Sequence, residues 1–146
     1  MKKFVLVASM VSCLAMAQAA GGGESKDALQ GVWVAQSMEA DGKPVPADAV
    51  KRMQFTFKGD RLYVKGNFDD DREEECSYKI DPKQAPTQLD FSPPKEKRPV
   101  LGIYEIKGNE LKLCLRHGNS SGARPTAFQT KANSGLVLVV LKKQPR

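Results

Sequence analysis

Gly102-Ile103-Tyr104-Glu105-Ile106-Lys107-Gly108-Asn109-Glu110-Leu111-Lys112-Leu113-Cys114-Leu115-Arg116 is the stretch whose reading settles the fold class. A Gly-Asn pair between two alternating runs predicts a two-residue hairpin loop, and a loop of that length sets the strand register by itself. Ile106 then lies opposite Leu111, Tyr104 opposite Leu113 and Gly102 opposite Leu115, which makes one face of the ribbon apolar. The other face sets Glu105 across from Lys112, an ion pair suited to solvent, and puts Ile103 beside Cys114.

A second hairpin repeats this logic upstream. Gly59-Asp60 separates Gln54-Phe55-Thr56-Phe57-Lys58 from Arg61-Leu62-Tyr63-Val64-Lys65. Phe57 then pairs with Leu62 and Phe55 with Val64 on one face, while Thr56 meets Tyr63 and Lys58 meets Arg61 on the other. Working outward, short runs punctuated by Gly, Asn, Asp and Pro predict further strands at residues 32–38, 75–80, 88–92, 126–130 and 135–142. Residues 46–53 suit one or two helical turns, with Val50 and Met53 three apart on a single face. Mostly short connections predict an all-β, antiparallel up-and-down meander of about eight or nine strands. Such a sheet removes its edges by closing into a small barrel.

The chain has 146 residues, with 23 Lys plus Arg against 17 Asp plus Glu, one His and three Cys. Hydrophobic residues make up 40% of it, enough for a packed core and too much for wholesale disorder. Lys2 and Lys3 precede an apolar stretch from Phe4 to Ala17, and Ala17-Gln18-Ala19 offers a small-x-small cleavage site. We therefore read residues 1–19 as a cleaved signal peptide and expect a secreted or periplasmic product. The competing reading, a lipoprotein signal acylated at Cys13, leaves too short an apolar core. Residues 20–26 have linker composition, residues 27–143 form the domain and residues 144–146 a frayed tail. No run in the mature chain is long enough for a transmembrane helix. Residues 20–90 carry 10 basic and 14 acidic groups and residues 91–146 carry 11 and 3, an asymmetry best read as a solvated face. Export and a small net charge argue against nucleic acid. A monomer is expected.

A wider set of residues carries a family resemblance. It comprises Leu29-Gln30-Gly31-Val32-Trp33, Asp41-Gly42-Lys43-Pro44-Val45-Pro46, Phe55-Thr56-Phe57-Lys58-Gly59-Asp60 and Tyr78-Lys79-Ile80-Asp81-Pro82. Leu101 to Ile106, Leu111 to Leu115, Arg124-Pro125-Thr126-Ala127-Phe128 and Leu138 to Lys142 continue it. Together these stretches resemble an uncharacterised small secreted domain family found mainly in planctomycete bacteria. That family is lipocalin-like, and Gly31-x-Trp33 is similar to the lipocalin opening motif. The resemblance implies a fold and brings no activity, substrate or catalytic residue. It also implies that Trp33 closes one barrel end against a basic side chain of the last strand, Lys142 or Lys143, where lipocalins carry an arginine.

The search for chemistry is mostly negative. His117 is the sole histidine, which excludes a multi-His metal site. Cys114-x-x-His117 has the spacing of opposite strand faces, and His117 reads as a loop residue beside Gly118. Cys76 shares a face with Tyr78 and Ile80, whereas Cys114 faces the other way, so parity argues against the disulfide that an oxidising compartment would permit. Residues 69–75 hold six carboxylates without the spacing of a calcium loop, which favours a solvated connection. Neither catalytic residues nor a metal or cofactor are expected. Arg116, His117 and Arg124, near the flexible Gly118-Asn119-Ser120-Ser121-Gly122, form a candidate anion site, with a mobile hairpin tip as the alternative. Trp33, Phe55, Phe57, Tyr78, Tyr104, Leu113 and Phe128 are the candidate ligand-binding residues, expected to point into the barrel.

Two functions follow from this sequence. The first is a secreted lipocalin-like binding module for a small apolar or amphipathic ligand, which requires a cavity of at least about 300 Å³. The alternative is a surface-acting interaction or inhibitor-like envelope component. It requires a filled core and an exposed patch around Tyr63, Ile103 and Cys114. A hydrolase lacks a convergent acid, base and nucleophile, so an enzyme is not expected.

Overall fold

A computed structural model describes residues 26–66, 72–116 and 122–145. Its elements are α1 (Lys26–Leu29), β1 (Gly31–Ala40), β2 (Lys43–Pro44), α2 (Ala47–Val50), β3 (Gln54–Lys58), β4 (Arg61–Lys65) and β5 (Glu74–Asp81). They continue through β6 (Thr87–Ser92), β7 (Val100–Lys107), β8 (Glu110–Arg116) and β9 (Leu136–Lys143). Every strand pairing is antiparallel. Strands β1 and β3 to β9 follow one another around the sheet, and β9 pairs back onto β1 to close an eight-stranded, lipocalin-like barrel. The two-residue β2 is an extra strand hydrogen-bonded to the end of β1. Among the described residues no helix is long and apolar enough to cross a membrane.

Both hairpins have the register that their loops dictate. Phe57 pairs with Leu62 and Phe55 with Val64, and Ile106, Tyr104 and Gly102 pair with Leu111, Leu113 and Leu115. Glu105 and Lys112 form the expected ion pair at 3.7 Å. Closure needs one strand to serve two neighbours, and the ten-residue β1 does so. Its first residues pair with β3, and residues from Trp33 onward pair with β9 across a register shift between Ala35 and Ser37. An extra residue of this kind bends a strand and sharpens its twist, which helps a sheet curl onto itself.

The expected strand at residues 126–130 is not formed. Pro125 offers no N–H, and β8–β9 and β9–β1 pairing leaves that part of the barrel with no edge to join. Residues 122–135 instead run as a strap across the outside of the barrel. The short helix expected at residues 46–53 is present as α2, whose Val50 and the following Met53 are both buried. The single turn α1 was not foreseen. It starts at Lys26, inside the expected linker, and buries Leu29 under one end of the barrel.

Candidate functional site

The barrel has two unlike ends. At one end gather α1, the start of β1, the β3–β4 and β7–β8 turns and the end of β9. Leu29 and Trp33 are 0% exposed there, and the indole Nε1 of Trp33 donates to the Leu29 carbonyl at 2.8 Å. Lys143 sets its ammonium 5.5 Å from the Trp33 ring centroid, so of the two lysines that the resemblance offered, Lys143 occupies the place. Gln30 accepts a 2.7 Å hydrogen bond from the Gly59 N–H and lies 3.0 Å from the Tyr78 hydroxyl. That hydroxyl donates to the Gly59 carbonyl at 2.6 Å, and the Tyr78 ring meets Phe57 edge to face. This end is filled and hydrogen-bonded shut.

At the other end the interior is hollow. Met38 of β1, Met53 just before β3 and Phe55 of β3 form one wall of a cavity of about 230 Å³. Val64 and Cys76 continue the wall along β4 and β5, Phe91 and Val100 along β6 and β7, and Leu115, Val137 and Val139 close the circle. Period-2 alternation puts all of these side chains on the inner face, since each strand turns every second residue inward. Exposure is graded along the barrel. Leu62, Leu89, Leu111 and Leu141 are 0% exposed, whereas Met38, Phe91 and Val100 keep 8%, so the hollow end is the one that meets solvent. Among the described residues, four charged ones stand at the mouth: Glu74 on β5, Lys95 and Glu96 between β6 and β7, and Arg116 on β8.

Among the described residues the wall carries one titratable group, the Cys76 thiol. Burial pushes it up to about 11, with Glu74 and Glu75 adding to the rise, so it stays protonated and behaves as a small apolar surface. Cys114 is also raised by burial and lies on the outer face, with its Sγ 3.7 Å from the Gln129 carbonyl oxygen. The two cysteines are unpaired, one inside the barrel wall and one outside, as their strand parity requires.

The remaining candidate residues are distributed differently from the sequence reading. Of the seven interior candidates only Phe55 lines the cavity. Trp33, Phe57, Tyr78, Tyr104 and Leu113 are buried in the filled part of the core. Phe128 does not point inward. It sits in the strap, with the outer-face Lys112 ammonium 5.9 Å from its ring. Two of the three anion-site candidates, Arg116 and Arg124, are engaged within the protein. The Arg124 guanidinium makes two hydrogen bonds to the Asp90 carboxylate and a third to the Gly102 carbonyl. Arg116 donates to the Ala123 and Ser134 carbonyls. Both arginines thus hold the strap down, and His117 lies outside the described residues.

Further ties complete the strap. Thr130 donates to Glu39 and accepts from the Gly42 N–H, and Asp41 accepts from the Gly135 N–H. Ile103 and Cys114, which face outward, are 1% and 0% exposed. The exposed patch that a surface-acting protein would need at this place is therefore not formed.

Of the uncharged described residues that line the cavity, all but Phe55 were absent from the candidates. Alternation along each strand marked them as inward, but nothing in a single sequence says at which height along the barrel the interior stops being filled. The bulky Trp33, Phe57 and Tyr104 belong to the packed part of the interior. Among the described residues no group of three His, Cys, Asp or Glu could hold a metal ion. No family model, curated protein or solved structure matches this chain.

Proposed function

We propose that this barrel is a secreted or periplasmic binding module that takes a small apolar molecule, or the apolar end of an amphipathic one, into the cavity beside α2. The observation that carries this reading is the asymmetry of the interior, which is dense and hydrogen-bonded at the Trp33 end and hollow and apolar at the Met38 end. Hollow apolar space is costly to a core, because the lining atoms lose contacts that packed neighbours would supply. A barrel that keeps such space at its mouth has a place for a guest.

The cavity, at about 230 Å³, is smaller than the 300 Å³ set above for a drug-sized ligand. The ligand is correspondingly compact. An apolar cavity of roughly 150 Å³ already admits benzene, so one ring or a short branched chain is the right scale. Export rests on Lys2, Lys3, the apolar stretch that follows them and Ala17-Gln18-Ala19. No residue is assigned a catalytic role.

Native mass spectrometry of the protein recovered from the compartment to which it is exported tests the proposal. Added mass that disappears on denaturation, and that is lost in a variant with a blocked cavity such as Val137→Phe, is the expected result. A bare chain in both samples, with no uptake of added toluene, would refute it.

A further inference from the structure

Among the described residues, the mouth of the cavity carries two charges of each sign, Glu74 and Glu96 against Lys95 and Arg116. Among the described residues, Glu74, Lys95 and Glu96 enter no ion pair. Arg116 spends its Nε and one terminal nitrogen on the strap carbonyls. A singly charged head group on a ligand would therefore meet one pair of favourable charges and one pair of unfavourable ones. A head group with both signs can face each partner, and complementarity of that kind is what distinguishes ligands of similar apolar area. The floor sets the other limit, since the filled half of the barrel begins at Phe57, Leu62 and Leu89 and excludes a long chain.

We infer that the ligand is a compact zwitterion, a free apolar α-amino acid whose side chain enters the cavity while its ammonium and carboxylate stay at the charged mouth. This inference rests on the cavity-binding reading and deepens it. Glu74 is half-buried, whereas Lys95 and Glu96 are exposed. The head group thus keeps much of its water, and the charges select among ligands more than they add affinity.

Titration calorimetry on the full mature chain tests it with four probes that share one ring. These are L-phenylalanine, 3-phenylpropanoate, which lacks the ammonium, 2-phenylethylamine, which lacks the carboxylate, and toluene, which lacks both. L-Phenylalanine should bind more tightly than either singly charged analogue by roughly threefold to tenfold, the scale of one or two solvent-exposed ion pairs. Glu74→Gln combined with Glu96→Gln should erase the advantage over 3-phenylpropanoate and leave toluene binding unchanged. Should toluene bind while L-phenylalanine binds no better than the singly charged analogues, the zwitterion inference falls and the cavity reading stands. If none of the four binds to a protein that melts cooperatively, both fall.

Discussion

Gly31 and Lys143 are built for each other: a Cβ placed on Gly31 would lie 3.2 Å from Cε of Lys143, the residue whose ammonium rests 5.5 Å from the Trp33 ring. Gly31 also has φ +120, a conformation that other residues adopt only under strain. The Gly31-x-Trp33 spacing thus has a local cause. The glycine lets the last strand's lysine reach the first strand's indole, and the indole seals the end of the barrel through Leu29.

Gly31→Ala should accordingly destabilise the fold by about 1–3 kcal/mol through backbone strain and displacement of Lys143. Trp33→Ala removes a fully buried ring and should cost about 3–5 kcal/mol. Urea unfolding midpoints followed by far-UV circular dichroism check both, and a Trp33→Ala protein as stable as the parent would contradict the closed end described above.

Val137→Phe should act in the opposite direction. Val137 borders the hollow end and is only partly buried, so a phenyl ring there has about 230 Å³ to occupy. Uptake of toluene should be lost while the melting temperature holds or rises, as cavity filling commonly adds roughly 0.5–2 kcal/mol. A drop in stability of the size seen for overpacked cores would mean that the space is already filled.

Arg124→Ala should loosen the strap without opening the barrel. The Arg124–Asp90 pair is partly exposed, and losing its charge-assisted bonds should cost about 1–3 kcal/mol. The sharper readout is Cys114, which the strap shields. Its labelling by a small thiol reagent should accelerate in the variant, in a Cys76→Ala background, while the parent stays slow. Equal rates would show that Cys114 is protected by something other than the Arg124 clamp.

Alkaline pH should weaken the protein. Cys76 is raised from its ordinary value to about 11, and Cys114 and Tyr78 are raised as well, so the unfolded chain gives up protons that the folded chain retains. Stability is therefore fully present below about pH 9, the thiol's ordinary range, and is lost as pH rises toward 11. For Cys76 alone the slope approaches about 1.4 kcal/mol per pH unit across that window. Cys76→Ala should flatten this limb in denaturation midpoints measured from pH 8 to 11, and an unchanged slope would contradict the buried, protonated thiol.

Strand pairing was legible because a two-residue loop leaves no freedom of register. Phe57 against Leu62 and Tyr104 against Leu113 follow from Gly59-Asp60 and Gly108-Asn109 alone. Residues 126–130 carry the Thr and Phe that suit a strand, yet whether such a run pairs depends on a free edge, and closure between β1 and β9 is a property of the whole sheet. Arg124 shows the same limit. A basic residue beside a Gly-rich loop suits an external anion as well as an internal carboxylate, and only the fold brings Asp90 to it from 34 residues away. The cavity was hidden for a related reason. Met38 and Val139 are visibly inward, but the height at which packing ends emerges only when all eight strands stand side by side.

The central claim, a guest site confined to the Met38 end of the barrel, is tested most directly by methyl-resolved NMR during a titration with toluene. Saturable shifts should appear at the methyl groups of Met38, Met53, Val64, Val100, Val137 and Val139, with Leu89, Leu111 and Leu141 in the filled half unmoved. No saturable shift, or shifts spread evenly over both sets, would contradict it.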